Sequence, residues 1–145
     1  MARKTTKRAE RLASDLRHVL GGLKRRVRSE AGGDELSMAE HAVLKRLIHD
    51  GPATTATLAR AEWVRPQSMG ATLAQLESEG LVARAPDASD GRCLVVSITE
   101  EGRSMFLAGL AARESWLARR LDDLSPDEQR QLRDAIEVLR RIVES

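Results

Sequence analysis

The sequence predicts a mainly α-helical fold with one small β-hairpin, and three observations support this fold class. Apolar residues recur every three to four positions through most of the chain, as they do on one face of a helix. Two short β-prone stretches are separated by a segment rich in turn residues. Aromatic residues make up only 2% of the chain. The core must therefore be built from aliphatic side chains, which suit helices.

Length and composition predict one compact, soluble domain. The chain has 145 residues, of which 41% are apolar and 32% charged, which is typical of a folded chain with a real core. The single cysteine, Cys93, excludes an intramolecular disulfide and fits a reducing, cytoplasmic setting. No apolar run approaches the ~18 residues of a membrane span, and we see no signal peptide. We therefore expect a cytoplasmic protein with no membrane contact.

The first two helices are marked by their ends. Apolar spacing predicts a helix from Thr5 to about Ser29, and Gly32-Gly33 ends it. Ser37 and Glu40 form the pattern of a capping box, so a second helix should start at Ser37. This helix should end near residues 50–52, the run Asp-Gly-Pro.

Two short helices and a hairpin should follow. We predict a third helix over Thr54–Glu62, and a fourth that opens at Pro66, runs to Glu79 and is capped by Gly80. The hairpin strands are predicted over Leu81–Arg84 and Cys93–Ile98, with residues 86–91 at its tip.

The remainder of the chain should be helical. Thr99 can cap a long helix that reaches about Asp122. Ser125 and Glu128 form a second capping box, with Pro126 in the first turn of a last helix. The element order is therefore that of a winged helix-turn-helix flanked by long helices, whose apolar stripes are too extensive for a domain that works alone.

Charge is distributed unevenly. The net charge is only +2, but residues 1–30 carry ten Lys/Arg against three acids. Residues 61–100 carry three Arg against six acids. A basic surface indicates nucleic-acid binding, and here the predicted helix-turn-helix is locally acidic, so bulk charge does not predict its function.

The fourth helix has a face that suits DNA. Met69, Leu73 and Leu76 share one side and should face the core. The opposite face has no acid before Glu77, and a helix with such an end can enter the major groove with its N-terminal residues at base edges. An ordinary solvated face is the alternative. The predicted DNA-binding residues of this helix are Arg65, Pro66, Gln67, Ser68, Ala71, Thr72 and Gln75.

The predicted wing adds arginines at the hairpin. Arg84 and Arg92 should flank its tip, and an arginine there can enter the minor groove. A neighbouring carboxylate such as Asp90 can fix the arginine by a charge-assisted hydrogen bond. We therefore predict Arg84, Ser89, Asp90 and Arg92 as DNA-binding wing residues; an ordinary exposed turn is the alternative.

These motifs together resemble the MarR (multiple antibiotic resistance regulator) family. The segments that carry the resemblance are Leu58-Ala59, Val64-Arg65-Pro66-Gln67-Ser68-Met69, Leu76-Glu77-Ser78-Glu79-Gly80-Leu81-Val82-Ala83-Arg84, Asp90-Gly91-Arg92 and Ile98-Thr99-Glu100-Glu101-Gly102. Their order and spacing match the family, and the flanking helices match in number. The resemblance covers the whole chain.

The resemblance implies a homodimeric transcriptional regulator, often a repressor, that binds a pseudo-palindrome in double-stranded DNA. Residues 1–36 and 100–145 would form the helical dimerisation region, and residues 37–99 the winged helix-turn-helix. Many members release DNA when a small aromatic or phenolic ligand binds. Arg17, His18 and His41 lie on the helices that would border such an effector pocket. Other members respond to cysteine oxidation, for which Cys93 is the candidate; a small buried residue is the alternative.

Three positions depart from the family pattern, all near the fourth helix. Glu62 stands where an apolar residue is usual, and Trp63 where a small one is common. Arg65 replaces a serine-type cap, which weakens capping but can add a phosphate contact. We expect these departures to alter the turn before the fourth helix.

Other functional classes have less support. A winged helix that docks a protein without reading DNA is the alternative that the local acidity favours. We expect no enzyme, because no nucleophile–base pair or phosphate-binding loop stands out. We also expect no metal and no cofactor, since the three histidines have no metal-ligand spacing.

Overall fold

The structure is a computed structural model that describes residues 5–32 and 36–145. These residues form six helices and three strands, so the predicted fold class is confirmed. In chain order the elements are α1 (Lys7–Ala31), α2 (Met38–Asp50), β1 (Ala53–Thr54), α3 (Thr55–Ala61), α4 (Pro66–Ser78), β2 (Val82–Pro86), β3 (Leu94–Ile98), α5 (Glu100–Asp122) and α6 (Pro126–Val143).

Both predicted capping boxes are present. The Ser37 hydroxyl accepts from the Glu40 amide at 3.2 Å, and the Glu40 carboxylate accepts from the Ser37 amide at 2.7 Å. At α6 the Glu128 amide donates to the Ser125 hydroxyl at 3.3 Å, and the Ser125 amide to the Glu128 carboxylate at 2.8 Å. Hydrogen bonds from the Ser125 side chain and amide lower the pKa of Glu128. Each box satisfies amides that the first helical turn leaves without a partner.

The sheet contains one strand that the sequence analysis missed. β1 pairs antiparallel with β3, with Ala53 opposite Val96, and the strand order is β1-β3-β2. Two residues are too short to show an alternating pattern, so periodicity gave no signal for this strand. β2 and β3 form the predicted hairpin, in which Val82 lies opposite Ile98 and Pro86 opposite Leu94.

The start of α5 is bound tightly to the end of α4. The Thr99 hydroxyl donates to the Gly80 carbonyl at 2.6 Å and accepts from the Gly102 amide at 3.1 Å. Gly80 has a φ of 72°, which glycine adopts without strain. A Cβ on Gly102 would lie 2.1 Å from the Leu81 carbonyl oxygen. The Thr-x-x-Gly motif is therefore required by a backbone contact.

The described chain forms two compact units. The unit from Leu36 to Ala111 has a closed aliphatic core to which α2, α3, α4, the sheet and the first part of α5 all contribute. Its largest completely covered side chains come from α2, α3, α4 and β3. They are Leu44, Leu58, Leu73, Leu76, Val43 and Val96.

The other unit combines the described residues up to Gly32 with Ala112–Ser145. Neither α1 nor α6 buries a single residue, although Trp116 of α5 is buried. The apolar stripes of α1 and α6 are instead exposed, with Leu12 at 67% and Ile142 at 61%. In the predicted basic N-terminus, Arg3 and Lys4 lie outside the described residues, as does Gly33 of the predicted helix stop.

No helix within residues 5–32 and 36–145 is both long and apolar enough to cross a membrane.

Candidate nucleic-acid interface

Helix α4 presents the predicted residues to solvent. Met69, Leu73 and Leu76 are buried, as the apolar spacing predicted. Of the opposite face only Thr72 is half buried; the exposed positions are Arg65, Pro66, Gln67, Ser68, Ala71 and Gln75. This face therefore has the accessibility that a helix in the major groove needs.

The two ends of this face differ in their hydrogen bonding. Gln75 donates to the Glu79 carboxylate at 2.6 Å, and the Thr72 hydroxyl donates to the Ser68 carbonyl at 3.1 Å. Across residues 5–32 and 36–145, no hydrogen bond or ion pair engages the side chains of Arg65 or Gln67. The side chains that remain available to a ligand are thus concentrated at the start of the helix.

The N-terminus of α4 lacks a side-chain cap. Arg65 occupies the N-cap position, and its side chain makes no capping hydrogen bond. Pro66 has no N–H, and the first amide to bond into the helix is that of Met69, which donates to the Arg65 carbonyl at 3.0 Å. The amides of Gln67 and Ser68 therefore face outward at the positive end of the helix dipole, where phosphate oxygens are favourable acceptors.

The wing tip is ordered by two aspartates. Asp87 accepts a hydrogen bond from the Ser89 amide at 2.8 Å and another from the Ser89 hydroxyl at 2.9 Å. The hydrogen bond from the backbone amide is the main cause of a lowered pKa at Asp87. Asp90 accepts from the backbone amide of Arg92 at 3.1 Å. The Asp90 carboxylate thus accepts from the Arg92 backbone amide and not, as predicted, from the Arg92 guanidinium. The Arg92 side chain extends from this turn into solvent.

Arg84 does not flank the tip as predicted. It lies within β2 opposite Val96, and its Nε is 3.2 Å from Oε2 of Glu77 in α4. Its Nε is buried, and the angles of this contact do not satisfy hydrogen-bond geometry, so we describe it as an ion pair. The sequence prediction overlooked that Glu77 can reach across to the strand. Contact of Arg84 with DNA remains a prediction.

The turn between α3 and α4 is tied to α2 by charge. Nε of Arg46 lies 2.6 Å from the Glu62 carboxylate, and its Nη1 lies 3.0 Å from Asp50. The hydrogen bond to Glu62 is the main cause of a raised pKa at Arg46, and His49 is the main cause of a lowered pKa at Asp50. This explains why a carboxylate replaces the usual apolar residue at position 62. The sequence held no signal for the pairing, because its partners are sixteen residues apart.

Trp63 follows Glu62 in a left-handed conformation. Its φ is 56°, and it is the one residue other than glycine with a positive φ in the described parts of the chain. This conformation costs an L-residue about 1–2 kcal/mol. The indole is 95% exposed, so packing within this chain does not offset that cost.

The predicted effector residues lie in different units. Arg17 and His18 are exposed on α1, and His41 is half buried on α2 with its ring 4.8 Å from that of Phe106. Cys93 is half buried at the base of the wing tip, where its amide donates to the Asp90 carbonyl. Within the described ranges no group of three potential metal ligands comes together. The effector site and redox sensing stay predictions.

An exposed helix that follows a fixed turn and precedes an arginine-bearing hairpin defines a winged helix-turn-helix of the DNA-binding class. The MarR family model matches residues 36–94. An HTH-type transcriptional regulator of Mycobacterium bovis is 37% identical over 134 residues, which cover 92% of this chain and 94% of that protein. The chain belongs to the MarR family and is a transcriptional regulator with a DNA-binding helix-turn-helix.

Two further comparisons agree with this assignment. An HTH-type transcriptional repressor of Mycobacterium tuberculosis is 34% identical over 104 residues, covering 72% of this chain and 75% of that protein. The crystal structure of a protein assigned as a transcriptional regulator from Pseudomonas aeruginosa has a TM-score of 0.84 and 32% identity, covering 97% of this chain and 99% of that one. The relatives are regulators rather than enzymes.

Proposed function

We propose that this protein is a homodimeric, ligand-responsive repressor that binds a pseudo-palindromic operator in the cytoplasm. The observation that carries the proposal is the start of α4, where exposed Arg65, Gln67 and Ser68 surround outward-facing amides. Two such helices in a symmetric dimer would read half-sites about one helical turn apart, roughly 34–36 Å. Repression is supported by the relative of 34% identity, which is named a repressor.

Homodimer formation is supported by the exposed apolar stripes of α1 and α6. Val19 and Ile142 are more than half exposed on helices that bury none of their residues. Such helices gain stability by covering their apolar face. A second copy offers the same stripes, as a two-fold symmetric interface requires. Residues 1–36 and 100–145 are thus the proposed dimerisation region, and residues 37–99 the proposed DNA-binding region.

The proposed effector is a small aromatic or phenolic anion, for which Arg17 and His18 on α1, or His41 on α2, are the candidate contacts. The cationic Arg17 and the imidazoles can pair with a carboxylate or phenolate. An effector that binds the DNA-free protein better must weaken DNA binding by the same factor. A panel of phenolic acids should therefore raise the melting temperature and release DNA in parallel, and Arg17→Gln should reduce both effects together.

The wing provides the decisive test of DNA reading. A duplex selected by the wild-type protein from random DNA would be labelled and titrated by fluorescence anisotropy. Arg92→Ala should weaken binding by about 1–3 kcal/mol and lower the slope of log Kd against log salt by about 1, because one cationic contact is lost. Arg133→Ala, an exposed arginine on α6, is the matched control and should change neither quantity.

Two results would count against this function. Equal affinity of Arg92→Ala and wild type would remove the wing from the DNA interface. Undetectable DNA binding by the wild type at low salt would favour the alternative, a protein-interaction module, since phosphate contacts must give a steep salt dependence. The acids that suggested that alternative are largely engaged: Glu62, Glu77 and Glu79 each contact a basic or amide side chain.

A further inference from the structure

Trp63 combines two unfavourable features, a strained backbone and an exposed apolar side chain. Its backbone is left-handed, a conformation that glycine adopts far more readily. The residue is 95% exposed, so one of the two largest side chains in the protein is left in water. Strained residues persist where the surrounding structure holds them, and they cluster at ligand contacts. The DNA-binding residues assigned so far leave this residue without a role.

The turn holds Trp63 in a fixed position. The Glu62 amide donates to the Leu58 carbonyl at 3.0 Å, the Trp63 amide to Arg60 at 3.3 Å and the Val64 amide to Ala59 at 3.0 Å. The Glu62 side chain is anchored on Arg46 at 2.6 Å. Hydrogen bonds on both sides of Trp63 therefore fix its backbone, which lowers the backbone entropy lost when the side chain binds a partner.

The charge around this ring favours an anionic partner. Glu62 is the acid next to Trp63, and its carboxylate is paired with Arg46, which also binds Asp50. Arg60 and Arg65 are exposed on either side of the turn, and no ion pair engages either of them within residues 5–32 and 36–145. An exposed aromatic ring flanked by arginines is the composition of a nucleic-acid contact.

We propose that Trp63 contacts the operator DNA, with its ring against a deoxyribose and its Nε1–H donating to a phosphate at the edge of the major groove. Trp63 lies two residues before Arg65, the N-cap of α4, so it is close in the chain to the helix end that would enter the groove. The ring would anchor the start of the helix without reading a base. This inference rests on the proposed function of α4.

The substitution Trp63→Gly distinguishes a DNA contact of Trp63 from a role in the stability of the fold. Trp63→Gly relieves the left-handed strain, so the melting temperature should stay the same or rise. Affinity for the selected duplex should fall about tenfold, because the hydrogen bond to the charged phosphate and the contact with the sugar are lost. Trp63→Asn, which also tolerates this φ, should behave alike. Trp63→Phe keeps a ring but loses the N–H, and its affinity should lie between wild type and glycine.

The salt dependence distinguishes this contact from that of its neighbour. Tryptophan is neutral and releases no counterion, so Trp63→Gly should leave the slope of log Kd against log salt unchanged. Arg65→Ala should lower that slope by about 1. Equal affinity of wild type and Trp63→Gly would overturn this inference alone. Absence of DNA binding by the wild type would overturn the proposed function and this inference with it.

Fluorescence provides a direct readout, because Trp63 and Trp116 are the two tryptophans. Trp116 is 8% exposed and Trp63 is 95% exposed, so acrylamide should quench Trp63 selectively. The readily quenched fraction should be absent from Trp63→Phe and should become protected when duplex is added to the wild type. Unchanged quenching in the DNA complex would overturn the inference. Protection before DNA is added would do so too, since a second protein copy would then cover the ring.

Discussion

The two units of this protein solve the problem of burying apolar surface in different ways. The unit from Leu36 to Ala111 covers Leu44, Leu58 and Leu73 completely within one chain. In the other unit, α1 and α6 bury none of their residues, and Ile136 of α6 is 45% exposed. The first unit therefore buries its apolar core within one chain, whereas the apolar faces of α1 and α6 in the second unit remain exposed to solvent.

This difference separates what each unit needs in order to be stable. The stability of a core that is closed within one chain depends on packing in that chain and does not change with protein concentration. An exposed apolar stripe gains its stability by association, so its contribution rises with concentration. We expect substitutions in the two units to be distinguishable by whether they change folding or assembly.

The largest effect is expected from the α6 stripe. Ile136→Gln removes an apolar side chain from the proposed dimer interface, worth about 1.5–3 kcal/mol for each copy, and a symmetric dimer contains two. The dimer dissociation constant, measured by analytical ultracentrifugation, should rise accordingly. Asp134→Gln introduces the same side chain at an exposed position on the opposite, polar face of α6 and should leave the constant unchanged. If both variants assemble like wild type, α6 is not in the interface.

The next largest effect is expected in the closed core. Leu73→Ala should lower the free energy of unfolding by about 2–5 kcal/mol, because it creates a cavity where no surface is exposed. Chemical denaturation would measure this loss, and the dimer dissociation constant should stay as in wild type. Leu94→Ala, at a side chain that is 51% exposed, is the control. A loss for Leu73→Ala no larger than for Leu94→Ala would contradict a closed core.

The smallest effect is expected at the α6 capping box. Ser125→Ala should lower stability by about 1 kcal/mol at neutral pH. The pKa of Glu128 is lowered in the folded protein, so its contribution is complete above the ordinary pKa of 4.5 and is lost as the pH falls through the folded-state value. The difference between the melting temperatures of the two proteins should therefore become smaller in acid, although the bond from the Glu128 amide to the Ser125 hydroxyl does not titrate. A difference that stays constant down to pH 3 would show that the carboxylate does not take part.

The sequence was most informative where one element carries its own signal. The capping boxes at Ser37 and Ser125 and the buried spacing of Met69, Leu73 and Leu76 were all predicted and are present. Each of these depends on residues a few positions apart, whose interaction follows from helix geometry.

Prediction failed where distant residues decide the outcome. β1 forms because Ala53 and Thr54 pair with β3, which lies some forty residues later in the chain. Arg84 forms an ion pair with Glu77, and Glu62 forms one with Arg46. Arg84 and Glu62, which the sequence placed in surface turns, therefore have charged partners within the protein. Local spacing cannot predict such pairs, because they depend on the tertiary approach of separate elements.

The left-handed turn at position 63 also has a genetic consequence. Tryptophan has a single codon, UGG, and a change of its first base to G yields GGG, which encodes glycine. One point mutation therefore replaces the exposed indole with the residue that a φ of 56° favours. A screen of single-base variants of the gene for loss of operator binding should therefore recover Trp63→Gly.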